Sequence, residues 1–283
     1  MIPADPVWLV TGCSSGFGRA LATELATRSI RVVATARSVS ALAYLETGPR
    51  VAIASLDVTR ADTVEGAFDE AVAAFGRVDV VVNNAGIGVI GPVEDVSEEQ
   101  ARLQFEINVF GVLNVVRAAL PVLRVQRGGH LVNFASMAGE VSIDSLGIYS
   151  ASKFAVEGLS EALRAELAPY DVGVTIVEPG PFDTEWLGRN AIWAPRDDAR
   201  YPAVWEYVEA MRAVYADRAQ VGDPARAAAA IVDALTNGTP PERLPLGAMA
   251  FDALRRKIAA LSATLASIEP DAPSMLYPKE TAP

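Results

Sequence analysis

Cysteine is nearly absent from this chain, whose 283 residues include only Cys13. A single cysteine excludes an intrachain disulfide, and the cysteine content carries no sign of an oxidising compartment. Histidine is just as scarce, with His130 alone. His130 stands at the start of a predicted strand, and we expect no catalytic role for it. No metal site is predicted.

Long apolar runs and basic blocks are also missing. No stretch of about 18 consecutive apolar residues occurs, and Met1–Asp5 does not open a basic segment followed by an apolar one. We therefore expect no membrane span, no membrane partner, no export and a cytoplasmic location. The formal net charge is −11 and the Lys and Arg residues form no block, so nucleic acid is not an expected partner.

The composition is that of a folded protein. Hydrophobic residues make up 51% of the chain and charged residues 21%, far from the low-hydrophobicity composition of disordered segments. The length allows one large domain or two small ones, and we predict a single domain over residues 1–283.

Short β-branched runs alternate with helical patterns over the first two thirds of the chain. This alternation is typical of βαβ units around a parallel sheet, and near-continuous apolar runs suit strands covered on both faces. The predicted strands are Val7–Val10, Arg31–Thr35, Val51–Leu56, Val78–Asn83, His130–Phe134 and Val172–Val177. Helical patterns begin near Gly16, Arg60, Ser97 and Ile148. The predicted fold class is α/β, a doubly wound parallel sheet in a Rossmann-type three-layer sandwich.

A different pattern begins at Glu185. Residues 185–220 are predicted to form a helical, substrate-facing lid because they are rich in large side chains, namely Trp186, Trp193, Tyr201, Trp205, Tyr207, Met211 and Tyr215. A helix over Pro224–Leu235 follows, then an edge strand over Arg243–Leu246, where a proline is tolerated, and a helix over Phe251–Ile268. The proline-rich segment 269–283 is expected to be poorly ordered.

A glycine-rich loop follows the first predicted strand. It reads Thr11-Gly12-Cys13-Ser14-Ser15-Gly16-Phe17-Gly18 and leads into a helical pattern. Glycines permit a tight turn, and a helix N-terminus offers free N–H groups and a positive dipole end to a diphosphate. The spacing differs from G-x-G-x-x-G, so the position between strand and helix carries the dinucleotide-binding prediction. A plain glycine turn is the alternative, and Cys13 is interpreted as a packing residue.

The residue after the second strand bears on the choice of nucleotide. Folds of this kind that prefer NAD place an acidic residue there, whereas an arginine accepts the 2′-phosphate of NADP. The run is Thr35-Ala36-Arg37-Ser38, with an arginine and no acid. It favours NADP(H), with NAD(H) possible. The alternative is that Arg37 is a solvated residue at a strand end.

Polar residues gather at the carboxyl ends of later strands, the edge where open α/β sheets bind ligands. Asn83-Asn84-Ala85-Gly86 ends the fourth strand and Asn133-Phe134-Ala135-Ser136 ends the fifth. Tyr149 and Lys153 follow at a helix start, on one helix face.

The Tyr149 and Lys153 pair has a chemical use. A phenol with a pKa of about 10 exchanges protons poorly at neutral pH unless a cation stabilises its phenolate. Lys153 is placed to lower the pKa of Tyr149, and Ser136 to hydrogen-bond a substrate oxygen. The alternative is a solvated Tyr-x-x-x-Lys pair, which is common on helices.

In this order, these residues resemble the short-chain dehydrogenase/reductase family, and the resemblance runs from about Val7 to Thr184. The family's motifs are similar to Thr11–Gly18, Asn83–Gly86, Ser136 and Tyr149–Lys153. Three further positions agree with the family pattern, namely Asp57 in Leu-Asp-Val, Asn108 in Ile-Asn-Val, and the segment Pro179-Gly180-Pro181-Phe182-Asp183-Thr184.

The resemblance implies a nicotinamide-dependent oxidoreductase that interconverts a carbonyl and an alcohol. Tyr149 would transfer the proton, Lys153 would bind the nicotinamide ribose and lower the Tyr149 pKa, and Ser136 would position the substrate. Asn108 would hold a water that relays protons from Lys153. Further cofactor contacts are implied for Gly12, Ser14, Ser15, Gly16, Phe17, Gly18, Arg37, Asp57 (beside the adenine), Asn84, Ala85, Gly86, Pro179, Gly180 and Thr184 (at the carboxamide).

One position departs from NADP-preferring relatives, which often carry a second basic residue where this chain has Ser15. The NADP(H) prediction therefore rests on Arg37. Two other functions stay open, a lyase-type or dehalogenase-type member of the same fold and a non-enzymatic NADP(H)-binding sensor. The retained Tyr149 and Lys153 argue against both.

The substrate is predicted only by class, as a small or medium apolar carbonyl compound or its secondary alcohol. The aromatic residues of 185–220 suit an apolar pocket and equally suit packing between helices. The resemblance also implies a homodimer or homotetramer, with the helices over Ser97–Leu123 and Tyr149–Leu167 as candidate interfaces.

Overall fold

The computed structural model describes residues 2–269. Its strands are β1 (Val7–Val10), β2 (Arg31–Ala36), β3 (Val51–Ser55), β4 (Val80–Asn83), β5 (Gly88–Ile90), β6 (Gly129–Phe134), β7 (Val172–Pro179), β8 (Ala191–Trp193) and β9 (Arg243–Leu246). Its α-helices are α1 (Gly16–Thr27), α2 (Ala61–Phe75), α3 (Glu98–Phe105), α4 (Gly111–Gln126), α5 (Gly147–Leu167), α6 (Pro202–Ala216), α7 (Pro224–Thr236) and α8 (Ala248–Ile268).

Seven of these strands form one parallel sheet in the order β3-β2-β1-β4-β6-β7-β9. The chain winds outward from β1 in both directions, and Leu9 of β1 lies opposite Val33 on one side and Val81 on the other. This order leaves a crevice at the carboxyl ends of β1 and β4, where doubly wound sheets bind their ligands.

Helices cover both faces of the sheet because the side chains of its strands alternate between two cores. Val7 and Leu9 of β1 belong to the core under α2, α4 and α5. Trp8 and Val10 belong to the core under α1 and α7. The predicted α/β fold class, a doubly wound parallel sheet in a Rossmann-type three-layer sandwich, is confirmed.

The predicted elements agree closely with the observed ones. The first strand has its predicted bounds, and the other five differ by one or two residues at an end. The Oγ of Ser97 accepts a hydrogen bond from the backbone N of Gln100 at 3.1 Å, so Ser97 caps α3 as expected. Strand β9 pairs only with β7 and is the predicted edge strand. The expectation for 269–283 lies, apart from Glu269, outside the described residues.

Two local features were not predicted. Strands β5 and β8 form a separate parallel pair beside the crevice. Between α3 and α4 the backbone makes a π-helical turn over Glu106–Phe110, and such turns are frequent at functional sites. Both are too short to leave a periodic signal in the sequence.

The continuous helical run Glu98–Gln126 is long and apolar enough, by length and composition, to cross a membrane. A search for an unbroken apolar run misses it because Glu106 and Arg117 interrupt it. Five side chains of α4 in this run belong to the core against the sheet, and core helices meet the same criterion. The absence of a membrane partner stays a prediction.

Candidate active site

The glycine-rich loop joins β1 to α1 at the crevice. Gly12 and Gly16 have φ of +74° and +53°, in the left-handed region that favours glycine. A Cβ at Gly18 would lie 2.4 Å from the carbonyl O of Gly12, so no side chain fits there. The N-cap residue Ser15 makes no side-chain capping bond, which leaves the N-terminus of α1 open to an anion. The loop therefore has the shape and the donors of a diphosphate cradle.

Thr11 binds this loop to the end of β4. Its Oγ1 donates to the carbonyl O of Val82 at 3.0 Å and accepts from the backbone N of Asn84 at 3.0 Å and of Ala85 at 3.1 Å. The Nδ2 of Asn84 in turn donates to the carbonyl O of Thr11 at 2.8 Å. Thr11 was not predicted as a site residue. Its position directly before the first loop glycine could have indicated that it lies at the site.

Asn108 lies on the π-helical turn and is buried. Its Oδ1 accepts from the backbone N of Ile87 at 2.9 Å, and its Nδ2 donates to the carbonyl O of Ile87 at 3.0 Å. A Cβ at Gly86 would lie 3.2 Å from this Oδ1. The amide of Asn108 therefore clamps the backbone after β4, a role that the sequence did not indicate. Contact between Asn108 and a water near Lys153 stays a prediction.

Tyr149, Lys153 and Ser136 meet at the bottom of the crevice. Tyr149 and Lys153 lie on the first two turns of α5, and Ser136 follows β6. The Oγ of Ser136 accepts from the backbone N of Ala138 at 3.1 Å and donates to the carbonyl O of Pro179 at 3.4 Å, and its hydroxyl opposes the rise of the Tyr149 pKa. The Nζ of Lys153 lies 5.8 Å from the centre of the Tyr149 ring and donates to the carbonyl O of Phe134 at 2.6 Å. The structure thus brings together the three residues that were 13 and 4 positions apart in the sequence.

The pKa of Tyr149 corrects one expectation. Burial raises it to about 12, and the Ser136 hydroxyl opposes this only in part. Lys153 was expected to lower it, but the Lys153 ammonium lies against the ring and donates to a backbone carbonyl, so burial dominates. Burial also lowers the pKa of Lys153 to about 8, with Glu157 acting in the opposite direction.

The residues expected to bind the adenosine end of a cofactor lie at the ends of β2 and β3. Arg37 follows β2 and is exposed, and its guanidinium forms no ion pair within residues 2–269. Asp57 follows β3, and its Oδ1 accepts from the backbone N of Thr59 at 3.0 Å and from the Thr59 Oγ1 at 2.8 Å. Arg37 is free to bind a ligand, whereas Asp57 also holds its own turn together.

The segment after β7 closes over the glycine loop. Pro179 ends β7, and the N of Gly180 donates to the carbonyl O of Leu246 at 2.9 Å. Side-chain atoms of Thr184 come within 3.5 Å of where a Cβ on Gly16 would be. Arg189, which was not predicted as a site residue, donates from Nη2 to the carbonyl O of Ser14 at 3.3 Å. The predicted residues at 179–184 therefore lie beside the predicted loop.

A cleft of about 340 Å³ opens above Tyr149. Its wall is mostly apolar and includes Phe17, Phe134, Ile143, Leu146, Trp186, Tyr207, Met211, Val214, Tyr215 and Met249. Trp186 packs edge-on against Tyr149 with ring centres 5.2 Å apart and stacks on Tyr215 at 6.0 Å. An apolar pocket with a few converging polar groups is the usual form of a small-molecule site.

The aromatic residues of 185–220 divide between two roles. Trp186, Tyr207 and Tyr215 line the cleft, whereas Trp205 is buried in a small core behind it. Trp193 lies outside the cleft lining and packs under the guanidinium of Arg212. Both interpretations of this stretch, pocket and packing, therefore apply to different residues.

A second buried polar cluster lies one turn further along α5. Arg243 of β9 donates from Nη1 to Glu140 at 2.6 Å, to Glu157 at 3.0 Å and to Glu178, and from Nη2 to Glu161 at 2.6 Å. One oxygen of each of Glu140, Glu157 and Glu178 lies within 4.8 Å of the others. Arg243 supplies the positive charge at the centre of this Arg243 cluster. Sequence reasoning missed it because its members come from four separate elements.

Fold and site together are those of a dinucleotide-binding oxidoreductase. A profile of the family described as short chain dehydrogenase matches residues 6–194, about two thirds of the chain. The chain belongs to this family.

Curated relatives include a reductase and a dehydrogenase. The chain is 35% identical over 240 residues to 3-ketodihydrosphingosine reductase of Bacteroides thetaiotaomicron, covering 84% of this chain and 87% of that protein. It is 33% identical over 261 residues to human retinol dehydrogenase 8, covering 86% of this chain and 82% of that protein.

Solved structures agree in fold and differ in nucleotide. A short-chain dehydrogenase from Streptomyces avermitilis has a TM-score of 0.82 and 40% identity, over 93% of this chain and 97% of that one. A short-chain dehydrogenase from Burkholderia cenocepacia J2315 in complex with NADP has a TM-score of 0.72 and 30% identity, over 94% and 99%. One from Burkholderia phymatum in complex with NAD has a TM-score of 0.77 and 28% identity, over 98% and 100%. These relatives support a nicotinamide cofactor without deciding which one.

Proposed function

We propose that this protein reduces an apolar carbonyl compound to a secondary alcohol, or oxidises that alcohol, with Tyr149 as the proton-transferring residue and NADP(H) as the preferred cofactor. The observation that carries this proposal is that Ser136, Tyr149 and Lys153 meet in the wall of one mostly apolar cleft. Burial raises the pKa of Tyr149, so its hydroxyl carries a proton at neutral pH. In the proposed reduction it would give that proton to the substrate oxygen, with Lys153 stabilising the phenolate that remains.

The loop between β1 and α1 fits the diphosphate of a dinucleotide, because Gly18 leaves a space that a Cβ would fill and the N-terminus of α1 has no capping side chain. A bound nicotinamide would supply or accept the hydride. Ser136 would orient the substrate oxygen, Lys153 would bind the nicotinamide ribose, and Thr184 would contact the carboxamide. Asn108, which holds the backbone at Ile87, would support a water on the proton path from Lys153.

The preference for NADP(H) is proposed from Arg37. Its guanidinium lies at the carboxyl end of β2, is exposed and has no ion-pair partner among the described residues. A guanidinium in that place forms paired hydrogen bonds with a 2′-phosphate. The relative solved with NADP supports the proposal, and the relative solved with NAD keeps NAD(H) possible.

The catalytic role of Tyr149 is tested by Tyr149→Phe. Turnover of NADPH with a panel of apolar ketones, aldehydes and quinones is expected to fall about 10²–10⁴-fold, the usual contribution of one general acid. Tyr170→Phe is the matched control, because Tyr170 is exposed at the end of α5, outside the cleft lining. Undiminished turnover in the Tyr149→Phe variant would remove Tyr149 from the mechanism.

Cofactor preference is tested by Arg37→Asp. The ratio of kcat/KM for NADPH to that for NADH is expected to fall at least about tenfold, since one charge-assisted bond to the 2′-phosphate is worth about 1.5–3 kcal/mol. Arg50→Asp makes the same change of charge at the amino end of β3, away from the crevice. A ratio that moves equally in both variants, or in neither, rules out Arg37 as the determinant.

A further inference from the structure

Helix α8 carries an apolar row that residues 2–269 leave mostly uncovered. The row, called the α8 seam here, consists of Phe251, Leu254, Ile258, Leu261, Leu265 and Ile268. Only Ala250 and Ala253, in the first two turns of α8, are buried against the rest of the structure. From Ile258 to Glu269 every residue is exposed, and Ile258, Leu261, Leu265 and Ile268 are 61%, 51%, 60% and 56% accessible.

The spacing of the α8 seam indicates a helical partner. Its residues follow each other at intervals of 3, 4, 3, 4 and 3 positions, the heptad pattern that keeps one narrow face toward a second helix. Burying Leu and Ile side chains removes apolar surface from water and so stabilises an assembly. Ala259, Ala260, Ala263 and Ala266 around the seam are too small to cover it. We propose that α8 pairs in antiparallel orientation with the α8 of a second copy of this chain.

The charged residues of α8 favour a second copy of this chain as the partner, and they favour antiparallel pairing of the two helices. Arg255 and Glu269 are 14 positions apart, or two heptads, and so flank the α8 seam on the same side. Antiparallel pairing places Arg255 beside the partner's Glu269, and by symmetry the same contact forms a second time with the two copies exchanged. It also stacks Leu261 on the partner's Leu265 and Ile258 on the partner's Ile268. Parallel pairing would instead bring the basic turn Arg255-Arg256-Lys257 of each copy together, which like-charge repulsion opposes.

A lipid surface fits this helix less well. Helices that lie on membranes have a broad apolar face and a basic polar face, whereas the α8 seam is narrow and its second half is flanked by serine, threonine and alanine. The chain carries a formal charge of −11, which opposes approach to an anionic surface. The pairing does not depend on the proposed enzymatic function.

A single introduced cysteine tests the pairing directly. Ser262 lies midway between Arg255 and Glu269, so antiparallel pairing places it opposite the partner's Ser262. With a short bis-maleimide, Ser262→Cys is expected to give a covalent dimer. Ala263→Cys, one position further round and facing away from the seam, is expected to give little. Cys13 is buried and its pKa is raised to about 12, so the wild-type chain serves as the unreactive control. Equal crosslinking at both positions, or none at Ser262→Cys, overturns the proposal.

Exchanging the charges of Arg255 and Glu269 tests the register of the paired helices, with self-association measured by sedimentation equilibrium. Arg255→Glu is expected to weaken self-association several-fold, and Arg255→Glu with Glu269→Arg to restore it. Leu261→Glu, which changes a half-exposed side chain and leaves the core intact, is expected to raise the dissociation constant at least about tenfold. An unchanged mass in Leu261→Glu contradicts the proposal. Loss of binding to phosphatidylserine vesicles in that variant, with no change of mass, would assign the seam to a membrane instead.

Discussion

Helix α5 carries two buried polar groups one after the other, and the two groups differ in the partners of their charged side chains. On its first turns, Tyr149 and Lys153 face the apolar cleft, and the Lys153 ammonium has a single backbone acceptor. On the next turns, Glu157 and Glu161 bind Arg243, which draws in Glu140 and Glu178 as well. The first group keeps hydrogen-bonding capacity for a ligand. The second uses its charges to hold the edge strand β9 to the helix.

This difference shows that burial of a charge does not by itself indicate chemistry. Both groups lie in a poorly solvated region and both have shifted pKa values, since burial raises the pKa of Glu157 to about 8 and lowers that of Lys153 to about 8. What separates them is the partner. An opposite charge from another element satisfies Arg243, whereas Lys153 faces a cavity.

The largest effect is expected from Arg243→Met. Burial raises the pKa values of Glu157 and Glu178, and removing the guanidinium takes away the hydrogen-bond donor of both carboxyls. Each buried polar group left without a partner costs about 1–3 kcal/mol of unfolding free energy. Urea denaturation followed by circular dichroism measures it. Arg60→Met, which removes an exposed pair with Asp62, is the control and is expected to leave the unfolding free energy nearly unchanged. A loss for Arg243→Met as small as that control would mean that the cluster does not hold β9.

Lys153→Met is not expected to lower the unfolding free energy, in contrast to Arg243→Met. Burial disfavours the ammonium, so its removal should leave the unfolding free energy at pH 7 unchanged or raise it by up to about 2 kcal/mol, after loss of the bond to Phe134. Catalytic activity is expected to be lost at the same time.

The pH dependence of Lys153 sharpens this test. The pKa is about 8 in the folded chain against 10.5 ordinarily, so the unfolded chain binds more protons between these values. Wild-type stability is therefore expected to gain from Lys153 as the pH rises from about 8 to 10.5. Urea midpoints across that range should lack this gain in Lys153→Met. A destabilisation by Lys153→Met as large as that by Arg243→Met would erase the distinction between the two groups.

The effect expected from Glu157→Gln lies in the pH dependence of stability. The pKa of Glu157 is raised from 4.5 to about 8, so its contribution is fully present below pH 4.5 and is lost as the pH rises through about 8. Glutamine resembles the protonated carboxyl at every pH. The urea midpoint of the variant should match the wild type near pH 4 and exceed it near pH 8.5. A wild-type midpoint that stays higher at pH 8.5 would show that the ionised Glu157 is stabilised by Arg243 after all.

The elements that carry the predicted cofactor-binding residues could be located from the sequence because their signals are local. A glycine loop between a strand and a helix requires residues that are neighbours in the chain, and Tyr149 with Lys153 requires only helical periodicity. The positions of these elements were therefore predicted to within one or two residues. Arg37 was placed after β2 in the same way, and its part in choosing the cofactor stays a prediction.

The pKa of Tyr149 in the candidate active site could not be predicted from such local signals. The pKa of Tyr149 depends on the apolar wall around it, which Trp186 and Tyr215 complete from more than 30 positions away. The Arg243 cluster escaped notice for the same reason, since Arg243 and Glu140 are 103 positions apart. Arg243 was predicted only as the first residue of an edge strand.

The sequence by itself determined the doubly wound sheet, the loop at its crevice and the order Ser136, Tyr149, Lys153, because strand and helix periods and turn residues act over a few neighbouring positions. Tertiary structure alone decided which buried charges are paired, which way the pKa of Tyr149 moves, and that residues 2–269 leave most of the α8 seam uncovered. These properties depend on the solvent removed and the partner supplied by distant segments, and only the folded chain brings those segments together.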